Sequence, residues 1–578
     1  MLEDKDLVSI QEVRTKVEKA YAAWQKYRAF NQAQVDAIVE RMAAAGRANA
    51  ERLAALAVEE TGYGNVKDKI AKNLLNADLL PRKMRGMRTI GLLREIPEDR
   101  IVEYAVPVGV VAAILPTTNP TSTAIYKILI SLKAGNAIVL SPHPRAVRCT
   151  CATADLLYRA AREAGAPEDI VQCLGYASID GTNALMHHER TGVILSTGGH
   201  GIVRAAYSSG TPAFGVGPGN VPVMIERTAD VADAVAKIVE GKSFDYGTVC
   251  SSEQAIVAED VLKDRVLAQL KSAKAYFCNA DQKKALEKLL VTANWTINPA
   301  CVGQAPTKIA AMAGFTVPPE TSILVVELDG VGKQHPLSME KLSPVLALYW
   351  VKDFPAGLAL CESLLRFGGL GHTCVIYSKD DARIREYAER MPANRVLVNT
   401  PSPQGSTGIT TNVFPSMTLG CGAVAGNITS DNIGPQHLYN IKRLAYEVRT
   451  AAEAFEIPVS QAAAAKPLAA DIVDRFLARR SFSGADDRFS SSAIPQHQPD
   501  EQTTKNDGPL HACACQTMTP APAPDPVPPP QPQPVDFVCE EDVRTAIKQS
   551  KKIYIGPKTI VTPAARDLAS PGDILVLA

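Results

Sequence analysis

The sequence predicts an α/β protein built around a largely parallel sheet. From Tyr104 onward, apolar runs of strand length such as VGVVAAIL and NAIVLSP alternate with helical stretches such as TADLLYRAAREAG, the rhythm of βαβ units. The alternation continues through VILSTGG, VPVMIE, ADVADAVAKIVEGK, QAIVAE, CVIYSKD and RVLVNT, and it reaches about Arg449 without a low-complexity break or a repeat of fixed period. Ahead of it, Val8 to about Glu60 is rich in Ala, Glu, Lys and Arg. There Tyr21, Trp24, Tyr27, Val35, Ile38, Val39 and Met42 recur at helical spacing and predict a helical opening.

A chain of 578 residues exceeds one ordinary core, so two or three folded units are expected. A hydrophobic share of 46% with 21% charged residues fits a globular enzyme and excludes disorder of the whole chain. Lys and Arg number 61, as do Asp and Glu, so no global field favours nucleic acid or an anionic membrane. MLEDKDLVSI lacks the basic and apolar regions of a secretory signal, and no stretch is apolar enough to span a bilayer, so a cytoplasmic location is expected. The 12 cysteines are scattered rather than arranged as a disulfide framework, which predicts reduced thiols and admits a catalytic one.

Beyond Arg449 the composition changes. Leu468, Ile472, Val473, Phe476 and Leu477 in LAADIVDRFLARR would share one helical face. The segment from Lys466 to Arg480 is then either a docking helix or a terminal helix packed on its own enzyme body. TPAPAPDPVPPPQPQP, from Thr519 to Pro534, predicts an extended polyproline-type spacer. His511, Cys513 and Cys515 in HACAC could bind a metal, but such spacing within a spacer is more often incidental, and no metal is assigned. From Val535 to Ala578 one charged helical segment and the runs IYIGPKTIV and DILVLA suffice for a small docking module.

The most informative segment is SFDYGTVCSSEQAIVAE, where Cys250 follows a glycine-containing turn and precedes an apolar strand. A thiol exposed at such a turn, with backbone N–H groups near it to lower its pKa, suits attack on a carbonyl carbon. A buried structural cysteine is the alternative that spacing alone favours. Context reverses that preference. LPTTNPTSTAIYK, NAIVLSPHP, ILSTGG, GVGPGNVP, EKLSPVLAL, FGGLGHTCVIYSKD and the closing NVFPSMTLGCGAVAGNITSDNIGPQHLYNIKRLAYE, in this order around Cys250, resemble the aldehyde dehydrogenase superfamily. Within it they are similar to the coenzyme A-acylating branch, over roughly Val8 to Arg449, and the closing segment is the most branch-specific match.

The resemblance implies a role for each segment. Asn119 would supply a side-chain amide that, with the Cys250 backbone N–H, forms an oxyanion hole. Ser141 and His143 would approach the adenosine half of the dinucleotide, while Thr197, Gly198 and Gly199 open a helix whose N-terminus can face the pyrophosphate. Read alone, STGGHG and GVGPGN do not fit the G-x-G-x-x-G pattern and could be ordinary turns. Val216 and Gly217 stand where hydrolytic members carry a water-activating glutamate, and no acidic residue occupies GVGPGNVP. Without that base, water should attack the acyl-enzyme slowly and leave the acyl group for the CoA thiol. Glu340 would hydrogen-bond the nicotinamide-side ribose, with Leu342 and Ser343 replacing the more usual Phe and Gly. His372 would assist deprotonation of the CoA thiol or orient the site, and a packed, hydrogen-bonded histidine is the alternative.

The expected fold is thus α/β and aldehyde dehydrogenase-like, with a Pro-rich linker and a small C-terminal module. An NAD/CoA-binding domain with part of a β oligomerisation arm is expected over 1–245, and a catalytic domain over 246–425. A closing segment and arm follow over 426–456, an amphipathic helix and linker over 457–534, and the targeting or docking module over 535–578. The expected reaction oxidises a short-chain aldehyde, propionaldehyde or acetaldehyde, with the cofactors NAD and coenzyme A, through a cysteine thioester. The partners expected are the aldehyde, CoA, a second copy in a dimer or tetramer, and a microcompartment shell protein met through the C-terminal region. The missing iron-dependent alcohol dehydrogenase half points to encapsulation in a bacterial microcompartment. The rivals are a catalytically inactive shell-binding scaffold and a hydrolytic enzyme giving the free acid.

Overall fold

The computed structural model describes residues 4–455, 535–549, 551–569 and 574–577. The expected amphipathic segment Lys466 to Arg480, the HACAC cluster and the proline-rich run lie outside the described residues. The chain divides into two compact units, Met1–Val473 and Asp474–Ala578.

In the first unit the chain opens with helices Lys5–Tyr27 and Gln32–Ala48. Asp4 caps the former by accepting from the N–H groups of Asp6 and Leu7, and a reciprocal Asn31/Gln34 capping box starts the latter. Their buried faces, including Val13, Val17, Tyr27, Val35, Ile38 and Met42, follow the helical spacing and join the core of the first sheet.

Among the described residues of this unit fifteen strands follow: β1 Gly91–Ile96, β2 Ile101–Pro107, β3 Val110–Ile114, β4 Ala137–Ser141, β5 Val171–Cys173, β6 Thr191–Thr197 and β7 Ala213–Val216. After these come β8 Val221–Ile225, β9 Glu253–Glu259, β10 Tyr276–Phe277, β11 Leu324–Glu327, β12 Val345–Val351, β13 Gly371–Tyr377, β14 Ala393–Val398 and β15 Tyr439–Ala445. They form two parallel sheets, in the orders β5-β4-β3-β6-β7 and β10-β11-β12-β9-β8-β13-β14, and an antiparallel sheet β1-β2-β15.

Strand order fixes where a ligand can sit. The chain builds outward from β3 to β5, then returns to lay β6 on the other side of β3, which makes a switch point and a crevice at the carboxyl ends of β3 and β6. Lys127 fastens that point from below, its Nζ donating to the carbonyls of Ile114 (2.6 Å) and Leu195 (2.8 Å). In the second sheet the central strands β8, β9, β12 and β13 are buried on both faces, as interior parallel strands are. Val221, Val223 and Ile225 of β8 pack into one layer and Met224 into the other.

Strand pairing places the crossing between the sheets ahead of residue 245. β8 bonds to β9 and β13, and helix Val231–Ser243 buries Ala234, Val235 and Ile238 against the same layer. The chain therefore passes from the first sheet to the second between Val216 and Val221. The closing segment returns to the first sheet, where β15 pairs with β2 from Tyr439↔Pro107 to Ala445↔Ile101 and leaves Ile441 and Leu444 exposed.

In the second unit, β16 Val535–Val538, β17 Ile553–Val561 and β18 Leu575–Leu577 form a parallel sheet in that order. Helices Glu540–Lys548 and Pro563–Ala569 connect them, and Val538, Val543, Ala565 and Ala569 are buried together.

Candidate active site

A cavity of about 440 Å³ opens at the crevice between the two parallel sheets of the first unit. One wall comes from the ends of β3 and β6, with Pro116 to Asn119 and Thr197 to Gly199. Across from it stand Thr248, Val249, Cys250, Glu340 and Leu342. Val216, Gly217 and Pro218, on the crossing between the sheets, line it too, and His143 and Arg145 reach it from the end of β4. Cys250 sits in the turn just before β9, partly exposed to this space.

That turn is strained. Asp245 (φ 47°), Tyr246 (φ 51°) and Gly247 (φ 72°) are all left-handed, a conformation costing about 1–2 kcal/mol for each non-glycine residue. Glycine is required at 247, where a Cβ would stand 2.8 Å from the Ser343 carbonyl oxygen. The buried Asp245 carboxylate holds the turn. It accepts from the Asn65 N–H (2.8 Å), the Thr248 hydroxyl (2.6 Å), Lys69 Nζ (3.0 Å) and Lys72 Nζ. Its two lysines keep Asp245 below the usual carboxylate range despite burial, and burial lowers Lys72 to about 8, which leaves it charged at neutral pH.

The electrostatics of Cys250 depart from expectation. Burial, then the neighbouring Glu340 and Cys421, push the Cys250 thiol up to about 12, with Arg395 opposing. Backbone N–H groups do not win over desolvation, so the resting sulfur is a thiol. Glu340 is itself pushed up to about 8 by burial, although the Gly219 N–H donates to its Oε1 at 3.2 Å. Asn119 is the N-cap of helix Pro120–Lys133 but makes no capping bond with its side chain. Its Oδ1 accepts instead from Lys72 Nζ at 2.5 Å, and its Nδ2 donates to Thr118 Oγ1 at 3.0 Å.

The fold has known relatives. The profile described as the aldehyde dehydrogenase family matches residues 6–285. The acetylating aldehyde dehydrogenase of Geobacillus thermoglucosidasius is 49% identical and superposes with a TM-score of 0.77, over 78% of this chain and 99% of that one. The chain belongs to the aldehyde dehydrogenase family. Within that family, the propionaldehyde dehydrogenase from the Clostridium phytofermentans fucose utilisation bacterial microcompartment is 28% identical, with a TM-score of 0.69 over 76% of this chain and 98% of that one. The bifunctional aldehyde-alcohol dehydrogenase of Escherichia coli K12 is 43% identical over 444 residues, covering 76% of this chain and 50% of that protein. The chain thus spans about half the length of that relative.

Most residues expected from the aldehyde dehydrogenase resemblance meet in this one cavity: Cys250, Asn119, His143, Thr197, Gly198, Gly199, Val216, Gly217, Glu340 and Leu342. Gly199 is the N-cap of helix His200–Tyr207 and leaves room for close approach, since a Cβ there would meet nothing within 4 Å. Leu342 holds the left-handed φ of 43°, and its carbonyl accepts from the Gly303 N–H at 3.0 Å.

Two expected residues sit elsewhere. Ser141 is buried and its hydroxyl is taken by Thr182 Oγ1 at 2.9 Å, so it lies behind the cavity wall rather than on it. His372 lies on β13, fully buried and outside the lining. Its Nδ1 is 2.9 Å from Thr373 Oγ1, its Nε2 has no partner, and burial with Arg395 nearby pushes it down to about 3. It still flanks Gly219, as Cys250 does. A Cβ on Gly219 would meet the Cys250 carbonyl oxygen at 2.0 Å and His372 Cδ2 at 3.4 Å.

Sequence reading missed the groups beneath the site. Lys72 and Asp245 lie 173 residues apart and meet only through the fold. Lys69 and Lys72 in KDKIAK and the aspartate five positions before Cys250 were the visible signals, and nothing in one sequence pairs them. Arg395 was also missed; it binds the closing segment through the carbonyls of Gly420 (2.7 Å) and Ser430 (3.1 Å).

Proposed function

We propose that this chain is a coenzyme A-acylating aldehyde dehydrogenase that converts a short-chain aldehyde, NAD+ and CoA to acyl-CoA and NADH. The supporting observation is that Cys250 and the Asn119 amide share one cavity with the switch-point crevice, while the segment Val216 to Asn220 carries no carboxylate. The similarity to an acetylating aldehyde dehydrogenase over nearly all of that protein's length supports the same reading.

The residues fit a dinucleotide. The crevice lies at the carboxyl ends of strands at a switch point, the helix after Gly199 presents N–H groups, and the buried Thr123 hydroxyl on the cavity wall has no protein partner. NAD+, when bound, supplies the hydride acceptor. Cys250 forms the carbon–sulfur bond to the aldehyde carbon, and the carbonyl electron pair moves onto oxygen. Asn119 Nδ2 and the Cys250 backbone N–H donate to that oxygen, worth several kcal/mol when preorganised. The thiol proton leaves toward the cavity, where Glu340 is the one carboxyl among the described lining residues. After hydride loss the acyl group is a thioester on Cys250. The CoA sulfur attacks its carbon, the bond to Cys250 breaks, and CoA's thiol proton ends on the departing Cys250 sulfur, whose thiol is held up near 12. His372, neutral and beside Gly219, is the group we assign to orient the site, since an imidazole pushed down to about 3 is too weak a base to keep that proton.

A homo-oligomer is proposed through the β1-β2-β15 arm, whose Tyr104, Ile441 and Leu444 are exposed. Encapsulation in a microcompartment is proposed on the similarity to the propionaldehyde dehydrogenase named above and on the segment Lys466 to Arg480, with the module 535–578 as a second docking element. NAD is taken as the preferred dinucleotide. The deciding experiment is a panel of C2 to C6 aldehydes assayed for NADH with and without CoA, with products read by mass spectrometry. Acyl-CoA formed only with CoA supports the reading; free acid formed equally fast without CoA returns the chain to hydrolytic chemistry, and no NADH leaves the scaffold.

A further inference from the structure

Lys72 stands on helix Val66–Leu74, behind the cavity wall and outside every motif that marks the family resemblance. Its ammonium is 2% exposed as a residue and has three acceptors for its three protons: Asn119 Oδ1 at 2.5 Å, Thr248 Oγ1 at 3.2 Å, and Asp245 Oδ2. The Thr248 hydroxyl donates in turn to Asp245 at 2.6 Å, and Lys69 binds the same carboxylate oxygen at 3.0 Å and the Thr118 carbonyl at 3.0 Å. Asp68 Oδ2 accepts from the Asp245 N–H at 2.7 Å and closes the cluster. Every member is hydrogen-bonded, which is the condition under which a buried ionic group is tolerated.

This arrangement settles which way the Asn119 carboxamide faces. Its oxygen and nitrogen are alike in shape, and only their partners distinguish them. An ammonium can only donate. With Lys72 on one side, the oxygen must turn toward it and the NH2 toward Thr118 and the cavity. A flipped amide would set donor against donor inside the protein, and the cavity would face a carbonyl oxygen, which repels an oxyanion. Thr248, two residues before Cys250, shares the same ammonium, so one charge fixes both the oxyanion donor and the turn that carries the nucleophile.

We propose that Lys72 is a positioning residue for the reaction, acting through Asn119 by holding its carboxamide with the NH2 facing the developing oxyanion. The inference rests on the functional reading above. It also predicts that Asn119 is polarised by the ammonium, which strengthens its N–H donors.

The test is a double-mutant cycle on the full chain with Asn119→Ala, Lys72→Met and the pair. Asn119→Ala should lower kcat by about 10²-fold or more, as loss of one oxyanion donor does. Lys72→Met should lower kcat by about 10-fold or more, with KM for aldehyde changed less than about 3-fold, and the pair should be no slower than Asn119→Ala alone. Asp245 keeps Lys69, Thr248 and the Asn65 N–H as partners in Lys72→Met. Lys72→Gln, whose amide can still donate to Asn119, should recover part of kcat, which a role confined to charge or packing would not allow. Full kcat in a folded Lys72→Met, or losses that add in the pair, overturns the proposal. A Lys72→Met protein that fails to fold passes the decision to Lys72→Gln against Asn119→Ala, where additivity again overturns it. A wild type that forms no NADH removes the functional reading itself and the role of Lys72 with it, a result distinct from an active wild type with an equally active variant.

Discussion

Gly219 donates its backbone N–H to Glu340 Oε1 at 3.2 Å, tying the crossing between the two sheets to the carboxyl that lines the cavity. Burial raises that carboxyl to about 8, with Lys242 and Lys341 opposing from nearby, so at pH 7 it is mostly neutral and a weak base toward water. An acid with a raised pKa gains charge only above it. Hydrolysis of the acyl-enzyme in single turnovers without CoA should therefore accelerate as pH passes about 8, and Glu340→Gln should remove that rise. Free acid measured by mass spectrometry from pH 6.5 to 9.5 checks this. An identical rise in the variant would assign the effect to solvent hydroxide.

Cys250 begins as a thiol held up near 12. Its alkylation by iodoacetamide in the ligand-free protein should climb about tenfold per pH unit from pH 7 to 10, because only the thiolate reacts. Peptide mass spectrometry separates it from the other cysteines. A plateau below pH 8 would mean that the thiolate is already formed. Cys250→Ala should abolish both NADH formation and the acyl-enzyme while the protein stays folded.

Much of this was legible before any coordinates. Strands β3, β4, β6, β8, β9, β13 and β14 fall on the apolar runs VGVVAAIL, NAIVLSP, VILSTGG, VPVMIE, QAIVAE, CVIYSKD and RVLVNT, because a doubly buried parallel strand has little choice but to be a short run of Val, Ile, Leu and Ala. The sheet to which β8 belongs was not legible, since its apolar pattern suits either core equally. The resemblance implies that Ser141 and His143 both approach the cofactor, yet their strand and loop positions turn them differently, Ser141 toward Thr182 and His143 to the cavity wall. Lys72 escaped notice for the opposite reason. A lysine between Ala71 and Asn73 on a helix reads as a solvated face until its carboxylate partner arrives from a distant turn.

His372 gives a third expectation. Burial and Arg395 push its imidazole down to about 3, so it is neutral across the working range and contributes no ionisation of its own between pH 5 and 9. His372→Ala should slow transfer to CoA, with the NADH burst from aldehyde kept within about 3-fold. The pH profile of the CoA half-reaction should have the same shape with and without it. Stopped-flow NADH absorbance against acyl-CoA formation separates the two steps. A profile inflection near 6 to 7 that vanishes in the variant would contradict the buried, neutral histidine.

The closing segment supplies a stability prediction. Buried Asn136 accepts from the Gly109 N–H (2.9 Å) and donates to the Leu438 carbonyl (2.7 Å), joining the turn before β3 to the start of β15. Asn136→Ala leaves both backbone groups unpaired, at about 1–3 kcal/mol each. A Tm lowered by several degrees, with faster proteolysis near residue 438, is the expected outcome. An unchanged Tm would show that the arm contributes little to the fold.

The short passage from Val216 to Val221 sets a limit on how this protein could be rebuilt. A chimaera that exchanges the dinucleotide-binding half at the apparent boundary near residue 245 would carry β8 away with the wrong partner, stripping the second sheet of a central strand between β9 and β13. A cut inside the passage preserves both sheets but divides the floor of the cavity, because Val216, Gly217 and Pro218 line it. On the proposed reading, cofactor preference and acyl-group chemistry are then not separable cassettes here. Selection, natural or in the laboratory, must alter them together through substitutions made in place.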